Sequence, residues 1–230
     1  MSEFLGMSTY FGFVISICAY VIGIQLNKKF KLAVLNPLLI AIIITIAVLL
    51  AGNISYEEYN AGAKYITYLL TPATVALAVP LYDKLKILKN NFKAITLGIV
   101  SGIITSFVTN LIICVFFKLS HEQYITLLPK SITTAIGMEL SAEFGGSRTI
   151  TTAVIVITGI AGSVMGEKIF KLLNIKNPIA KGVALGSASH AIGTSKAVEL
   201  GETEGAMAGL SIAVSGILTV IAMNIFTLFY

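Results

Sequence analysis

The chain has 230 residues, of which 56% are hydrophobic and 12% charged, and its net charge is +5. A soluble domain carries roughly 25% charged residues, so there is too little polar surface here to clothe a water-soluble globule, and the solvent is lipid. The lysines sit in short clusters beside apolar runs rather than on an amphipathic face with interleaved aromatics, which argues against nucleic acid as a partner.

Met1 to Leu5 carries Glu3 and no basic residue, the wrong charge for a secretory leader, so the first apolar run is expected to be a retained helix. Five segments read as ordinary spans: Ser8 to Gln25, Ala33 to Gly52, Ile95 to Phe117, Thr149 to Gly166 and Met207 to Phe229. Each is free of acidic and basic side chains and near the length of about 20 residues that a helix needs to cross a bilayer. Three further apolar segments are interrupted: Tyr65 to Tyr82 by Pro72 and Pro80, Tyr124 to Ser141 by Pro129 and Lys130, and Val183 to Leu200 by Gly186, His190, Gly193 and Lys196. The expected architecture is an all-α integral membrane protein, a single polytopic domain over 1–230 with about seven or eight transmembrane segments and broken helices. Cys18 and Cys114 lie deep in apolar runs, where a thiol acts as a small hydrophobe, so neither disulfides nor a metal site is expected.

Of the 16 basic residues, 11 fall in three stretches: Lys28, Lys29 and Lys31; Lys84, Lys86, Lys89 and Lys93; Lys168, Lys171, Lys176 and Lys181. The positive-inside rule places loops 27–31, 83–93 and 167–181 in the cytoplasm of a multi-pass cell-membrane protein. Three apolar segments separate the second stretch from the third, and an odd number cannot return the chain to the same side. Parity therefore predicts that Tyr124 to Ser141 is a re-entrant hairpin, entering and leaving at the outer face and turning near Lys130 and Ser131. Irregular backbone at membrane depth is tolerated only where it is buried in protein or lines a watery cavity. Leu70 to Ala76 and Leu128 to Ala135 also echo one another, each an apolar lead, a proline, then small and hydroxyl residues. Interrupted segments at related positions in two halves are the pattern of repeat-built transporters.

The stretch Ala184 to Lys196 is polar in an apolar setting. Ser187, Ser189, Thr194 and Ser195 bring hydroxyls, Gly186 and Gly193 allow unwinding or close approach, and His190 and Lys196 bring donors that can be cationic. Such a group favours an anion, and a half-helix opening after Gly193 would aim backbone N–H groups the same way. The plainer alternatives are close helix packing for the hydroxyls, a satisfied core position for His190 and a salt bridge to nearby Glu199 for Lys196. Lys130 with Ser131, Thr133 and Thr134 repeats the theme of one cation with several hydroxyls. Glu139, Glu143 and Arg148 read as an extracellular ion-pair group, Glu139 alternatively as a proton carrier, and Asn110 as an interhelical hydrogen bonder. No enzyme is expected: Asp83, the sole aspartate, lies in a basic loop, so nothing orients His190 toward a serine nucleophile, and no cofactor or metal motif is present.

Leu70 to Tyr82 (LTPATVALAVPLY), Leu127 to Ala135 (LLPKSITTA) and Gly182 to Ala197 (GVALGSASHAIGTSKA) resemble the signature stretches of the LrgB/CidB family, and the resemblance covers essentially the whole chain. Where that family's basic residue after Gly-Thr is commonly arginine, this chain has Lys196, which keeps the charge but not a bidentate geometry. The family is associated with holin-like or antiholin-like control of murein hydrolase export and lysis, its plastid relatives with glycolate and glycerate translocation, and other bacterial members with pyruvate uptake. The resemblance implies transport of a small monocarboxylate, with a coupled proton, or alternatively lysis control through oligomerisation. An LrgA-like small membrane protein is the implied partner, and the glycine series Gly201, Gly205 and Gly209 is compatible with a homodimer. For transport, the expected anion site joins Thr71 and Thr74, Lys130, Ser131, Thr133 and Thr134, and Ser187, Ser189, His190, Gly193, Thr194, Ser195 and Lys196 near the membrane midplane.

Overall fold

The computed structural model describes residues 10–30, 35–76 and 82–230, with the side chains of Leu70, Thr71 and Thr74 outside that description. The described residues are helical and contain no strand. They form two compact units, divided between Ala76 and Leu77.

The first unit contains α1 (Phe11–Phe30), α2 (Pro37–Gly52), α3 (Tyr56–Thr67) and α4 (Leu70–Ala76). Glycines let α1 meet its neighbours at backbone distance: a Cβ on Gly23 would lie 2.5 Å from the Pro37 carbonyl oxygen, and one on Gly12 would overlap the Tyr59 carbonyl. Asn36 caps α2 by accepting from the Leu38 and Leu39 amides, and Pro37, lacking an N–H, suits the first position. A reciprocal capping box between Ser55 and Glu58 opens α3. That helix stops at Thr67 and the chain turns through Tyr68 and Leu69 before α4. Pro72 explains the stop, since it can neither donate to the Tyr68 carbonyl nor fit its ring against it, yet is tolerated in the first turn of a new helix. The expected interruption is therefore present, and its continuation over residues 77–81, with Pro80, lies outside the described residues.

The second unit contains α5 (Leu85–Asn90), α6 (Phe92–Phe117), α7 (His121–Leu127), α8 (Thr134–Glu143), α9 (Arg148–Leu172), α10 (Pro178–Leu200) and α11 (Glu202–Phe226). Among the described helices, α1, α6, α9 and α11 are long and apolar enough to cross a membrane, and α2 is an apolar helix of 16 residues. This is fewer complete crossings than the seven or eight apolar segments suggest. The difference lies in the three interrupted segments, whose pieces fall short of the roughly 20 residues that 30 Å of hydrocarbon requires, and in Ala33 to Gly52, whose described helix starts only at Pro37. Tyr124 to Ser141 lies within two short helices, α7 of 7 residues and α8 of 10, joined by an irregular turn over 128–133.

α10 is likewise two helices. Ser189 (φ −130°, ψ 16°) and His190 (φ 43°, ψ −135°) leave helical geometry, and the second arm folds back on the first: a Cβ on Gly193 would lie 2.4 Å from the Leu185 carbonyl oxygen. In a straight helix residues eight apart are about 12 Å apart, so α10 is a hairpin. The break falls at Ser189 and His190, not at the two glycines. Gly186 is needed elsewhere, with a Cβ there only 2.4 Å from the Ala208 carbonyl oxygen, and Gly193 serves the fold-back itself.

Contacts along the helices give their directions. Gly182 meets Glu204 and Gly186 meets Ala208, while Gly98 meets Val183 and Gly102 meets Ser187. Both series advance together by four residues, so the first arm of α10 runs parallel to α11 and to α6. Against α6, α7 runs the other way, since Asn110 bonds the Leu127 carbonyl and Ser106 bonds Ser131. The two hairpins thus enter the unit from opposite ends. The core between them is built on Phe107, stacked on Phe226 at 4.6 Å, and on Tyr124, whose hydroxyl donates to the Phe226 carbonyl at 2.8 Å. At the other end Lys84 pairs with Glu202 at 3.1 Å, next to the Gly182–Glu204 contact, so the lysine stretches 84–93 and 168–181 share one end of this unit.

Candidate functional site

The tip of the first hairpin reaches the middle of α6. There the Lys130 ammonium donates to the Ser106 hydroxyl at 2.9 Å, the Asn110 side-chain oxygen at 2.9 Å and the Ser106 carbonyl at 3.3 Å. Three N–H donors meet three neutral acceptors, and no carboxylate pairs with Lys130 among the described residues. An unneutralised cation at membrane depth is expensive, and it is kept where it serves a pathway or a site. Asn110 is held in turn by donating to the Leu127 carbonyl at 2.9 Å, so it locks α7 to α6 as well as receiving the ammonium.

The tip of the second hairpin meets the same level from the other side. His190 is buried, and its Nε2 donates to the Ile155 carbonyl in α9 at 2.8 Å. The ring lies over Gly159, where a Cβ would come within 2.6 Å of Cε1, and Ser189 is seated against Gly162. Ile155 also packs its Cδ1 on Gly137 of the first hairpin, so one residue of α9 touches both hairpins. On α6 the corresponding contacts are Gly102 with Ser187 and Ser106 with Ser131, one turn apart. Ser106, Ser131, Ser187 and Thr219, with Ile103, Phe107, Leu128 and Ile132, line a small void of about 10 Å³ between the tips, close to the minimum that can hold one water. Thr194 and Ser215 are buried, and their hydroxyls have no hydrogen-bond partner among the described residues.

The expected site residues separate into groups. Lys130 and Ser131 come together with Ser187, while Ser189, His190 and Gly193 form the neighbouring bend, and Thr194 is buried just beyond it. Thr133 and Thr134 sit at the start of α8 and are half-buried. Ser195 is exposed, and Lys196 lies away from the tips, paired with Glu167 at 2.6 Å and Glu199 at 3.0 Å. Thr71 and Thr74 belong to α4 of the first unit, with side chains outside the described residues. The echo between Leu70–Ala76 and Leu128–Ala135 does not extend to conformation: the first is helical, and the second spans the turn that ends α7 and opens α8. Arg148 and Glu139 form the expected exposed ion pair at 2.6 Å. Ser106 and Thr219 were not singled out in the sequence. Ser106 stands four residues before Asn110 in an apolar helix, a spacing that puts both on one face, and that pairing is the signal available for it.

A family model described as LrgB-like matches residues 16–229. Proteins named antiholin-like protein LrgB from Bacillus mycoides (strain KBAB4), Bacillus cereus (strain B4264) and Bacillus anthracis (strain CDC 684 / NRRL 3495) are each 38% identical over 221 residues, covering 96% of this chain and 96% of theirs. No solved structure matches the chain. With apolar helices of spanning length and a match that runs through both units, the chain is a membrane protein of the LrgB-like family.

Proposed function

We propose that the chain acts in the cell membrane as an antiholin-like regulator, restraining murein hydrolase export and lysis by associating with other membrane subunits, an LrgA-like protein or further copies of itself. The observation that carries this reading is the match over nearly the full length of proteins named antiholin-like. In this reading 1–230 is a single membrane domain with loops 27–31, 83–93 and 167–181 in the cytoplasm. The first hairpin then re-enters from outside and the second from the cytoplasm. The test is expression in a bacterium lacking its own LrgB relative, with secreted murein hydrolase activity measured on gels and autolysis followed by turbidity. The expected result is slower lysis and less secreted activity. Unchanged lysis at an equal membrane level of the protein overturns the reading.

A second reading, transport of a small monocarboxylate of the glycolate, glycerate or pyruvate type with a coupled proton, is favoured by one specific observation. Lys130 is a cation with only neutral partners, held where two opposed hairpins meet beside Ser131 and Ser187. A carboxylate arriving there finds a charge already desolvated and hydroxyls ready to read a 2-hydroxyl group. In this reading Ser189, His190, Gly193 and Thr194 set the second tip, and separation of the tips opens the void. Lys196 contributes to the cytoplasmic ion pairs and not to the anion. Counterflow of labelled glycolate, glycerate and pyruvate in proteoliposomes is expected to saturate, and to be lost in Lys130→Gln and His190→Ala at equal reconstitution. No exchange, or equal leakage of unrelated solutes, overturns it. The two readings coincide if carboxylate flux itself sets the rate of lysis.

A further inference from the structure

At the lysine-bearing end of the second unit, the last turn of α9, the loop after it and both roots of the second hairpin line an open cavity of about 400 Å³. Its walls carry Lys171, Lys176 and Lys181, and its apolar side is formed by Phe170 and Leu200. Glu167 is the one acidic residue of the lining, and its carboxylate is already held by Lys196 at 2.6 Å. Lys171, Lys176 and Lys181 form no ion pair among the described residues. Asn174 turns the chain with φ 53°, a left-handed conformation that asparagine tolerates, and so sets Lys171 and Lys176 on either side of one mouth. Leu172 and Leu173, 83% and 63% exposed, project from the same loop.

Of the three lysines, Lys171 and Lys181 also feel the Glu167 carboxylate, but one carboxylate shared with Lys196 leaves the cavity with a surplus of positive charge, and like charges that face one cavity repel unless more negative charge lies between them. Phosphate oxygens are suited to this, because a lysine meets them as a mobile point charge that needs no planar fork. The volume exceeds what inorganic phosphate alone fills and lies in the range of about 300–1,000 Å³ typical of small-molecule sites. Exposed leucines beside basic residues are the pattern of a surface at the headgroup boundary, where apolar side chains enter the acyl layer and cations meet phosphates.

We propose that this cavity is a binding site for a phosphate-bearing anion, either the headgroup of an anionic lipid or a soluble phosphate ester. Lys181 belongs to the first arm of α10 and Leu200 ends the second, so an occupant ties the two roots of the hairpin together. The inference is independent of whether the protein transports or regulates.

The test uses the full chain purified in a neutral detergent, with thermal unfolding followed against added phosphatidylglycerol, phosphatidylcholine or glycerol phosphate. The wild type is expected to gain stability with phosphatidylglycerol and none with phosphatidylcholine. Each lysine removed should weaken half-saturation about fivefold, so Lys181→Gln shifts the curve about fivefold and the triple change at Lys171, Lys176 and Lys181 nearly abolishes it. A charge-matched control, Lys86→Gln with Lys89→Gln and Lys93→Gln, should keep the wild-type curve. An equal response to glycerol phosphate assigns the site to soluble esters, and a response to phosphatidylglycerol alone assigns it to lipid. Equal effects of both lipids without an effect of glycerol phosphate, or equal weakening in the control, overturns the proposal. If the triple variant does not fold, an unshifted curve for Lys181→Gln overturns it as well.

Discussion

The first hairpin turns through an irregular segment, 128–133, and is tied at its tip to α6 by hydrogen bonds from Lys130 and Ser131; the second turns in two residues, Ser189 and His190, and is held along its first arm by glycines pressed against α6 and α11. One is fixed chiefly by polar groups at the point, the other by backbone packing along the shaft with the single His190–Ile155 hydrogen bond at its point. Both arrive at the same level of α6 and α9. The lesson is that a chain can be stopped at membrane depth either by satisfying its polar groups with side chains or by bringing backbones so close that no side chain is needed.

That contrast predicts different sensitivities. The largest effect is expected on the shaft: Gly186→Ala would push a Cβ to 2.4 Å from the Ala208 carbonyl oxygen, and because backbone cannot step aside the cost is about 1–3 kcal/mol or more. Unfolding in mixed micelles of mild detergent and dodecyl sulfate measures it, and wild-type stability would break the comparison. At the first tip, Asn110→Leu removes an acceptor and strands the ammonium, costing about 1–3 kcal/mol. Lys130→Met removes the charge itself, and replacing a buried ion with an apolar chain of similar volume is often close to neutral. The ordering of these two variants in the same assay is the test, and a Lys130→Met protein less stable than Asn110→Leu would show that the ammonium holds the hairpin.

The smallest effect concerns the second bend. His190 is a non-glycine residue at φ 43°, which stores about 1–3 kcal/mol of strain, and it gains a hydrogen bond to Ile155 worth about 1 kcal/mol. His190→Ala keeps the strain and loses the bond; His190→Gly loses both. The glycine variant is therefore expected to be the more stable of the two by roughly 1 kcal/mol. Equal melting temperatures for the pair would mean that the bend, and not the imidazole, sets its own geometry.

Much of this was legible in the sequence. The long apolar runs are helices, and Pro129 and Lys130 mark Tyr124 to Ser141 as the broken element it is, with its turn at 128–133. The second hairpin was harder to see because its bend contains neither glycine nor proline. Gly186 and Gly193, the visible candidates, are used for contact with Ala208 and Leu185, and that need exists only once the helices are packed. Lys196 shows the same limit: Glu199 is visible three residues away, but its closer partner, Glu167, arrives from another helix. The sequence echo joins Leu70–Ala76 to Leu128–Ala135, whereas the two hairpins that face each other in the second unit share little in sequence beyond serine.

The glycine ladder of α10 also determines how that helix can move. Gly98 and Gly102 on α6 face Val183 and Ser187, while Gly182 and Gly186 face Glu204 and Ala208, so the seats repeat every four residues, about 6 Å along the axis. Between seats, the Glu204 and Ala208 carbonyl oxygens, which now meet Gly182 and Gly186, would bear on residues that carry a Cβ. Sliding of the first arm would thus proceed as a ratchet with discrete stops, one helical turn at a time, and not as a continuous drift.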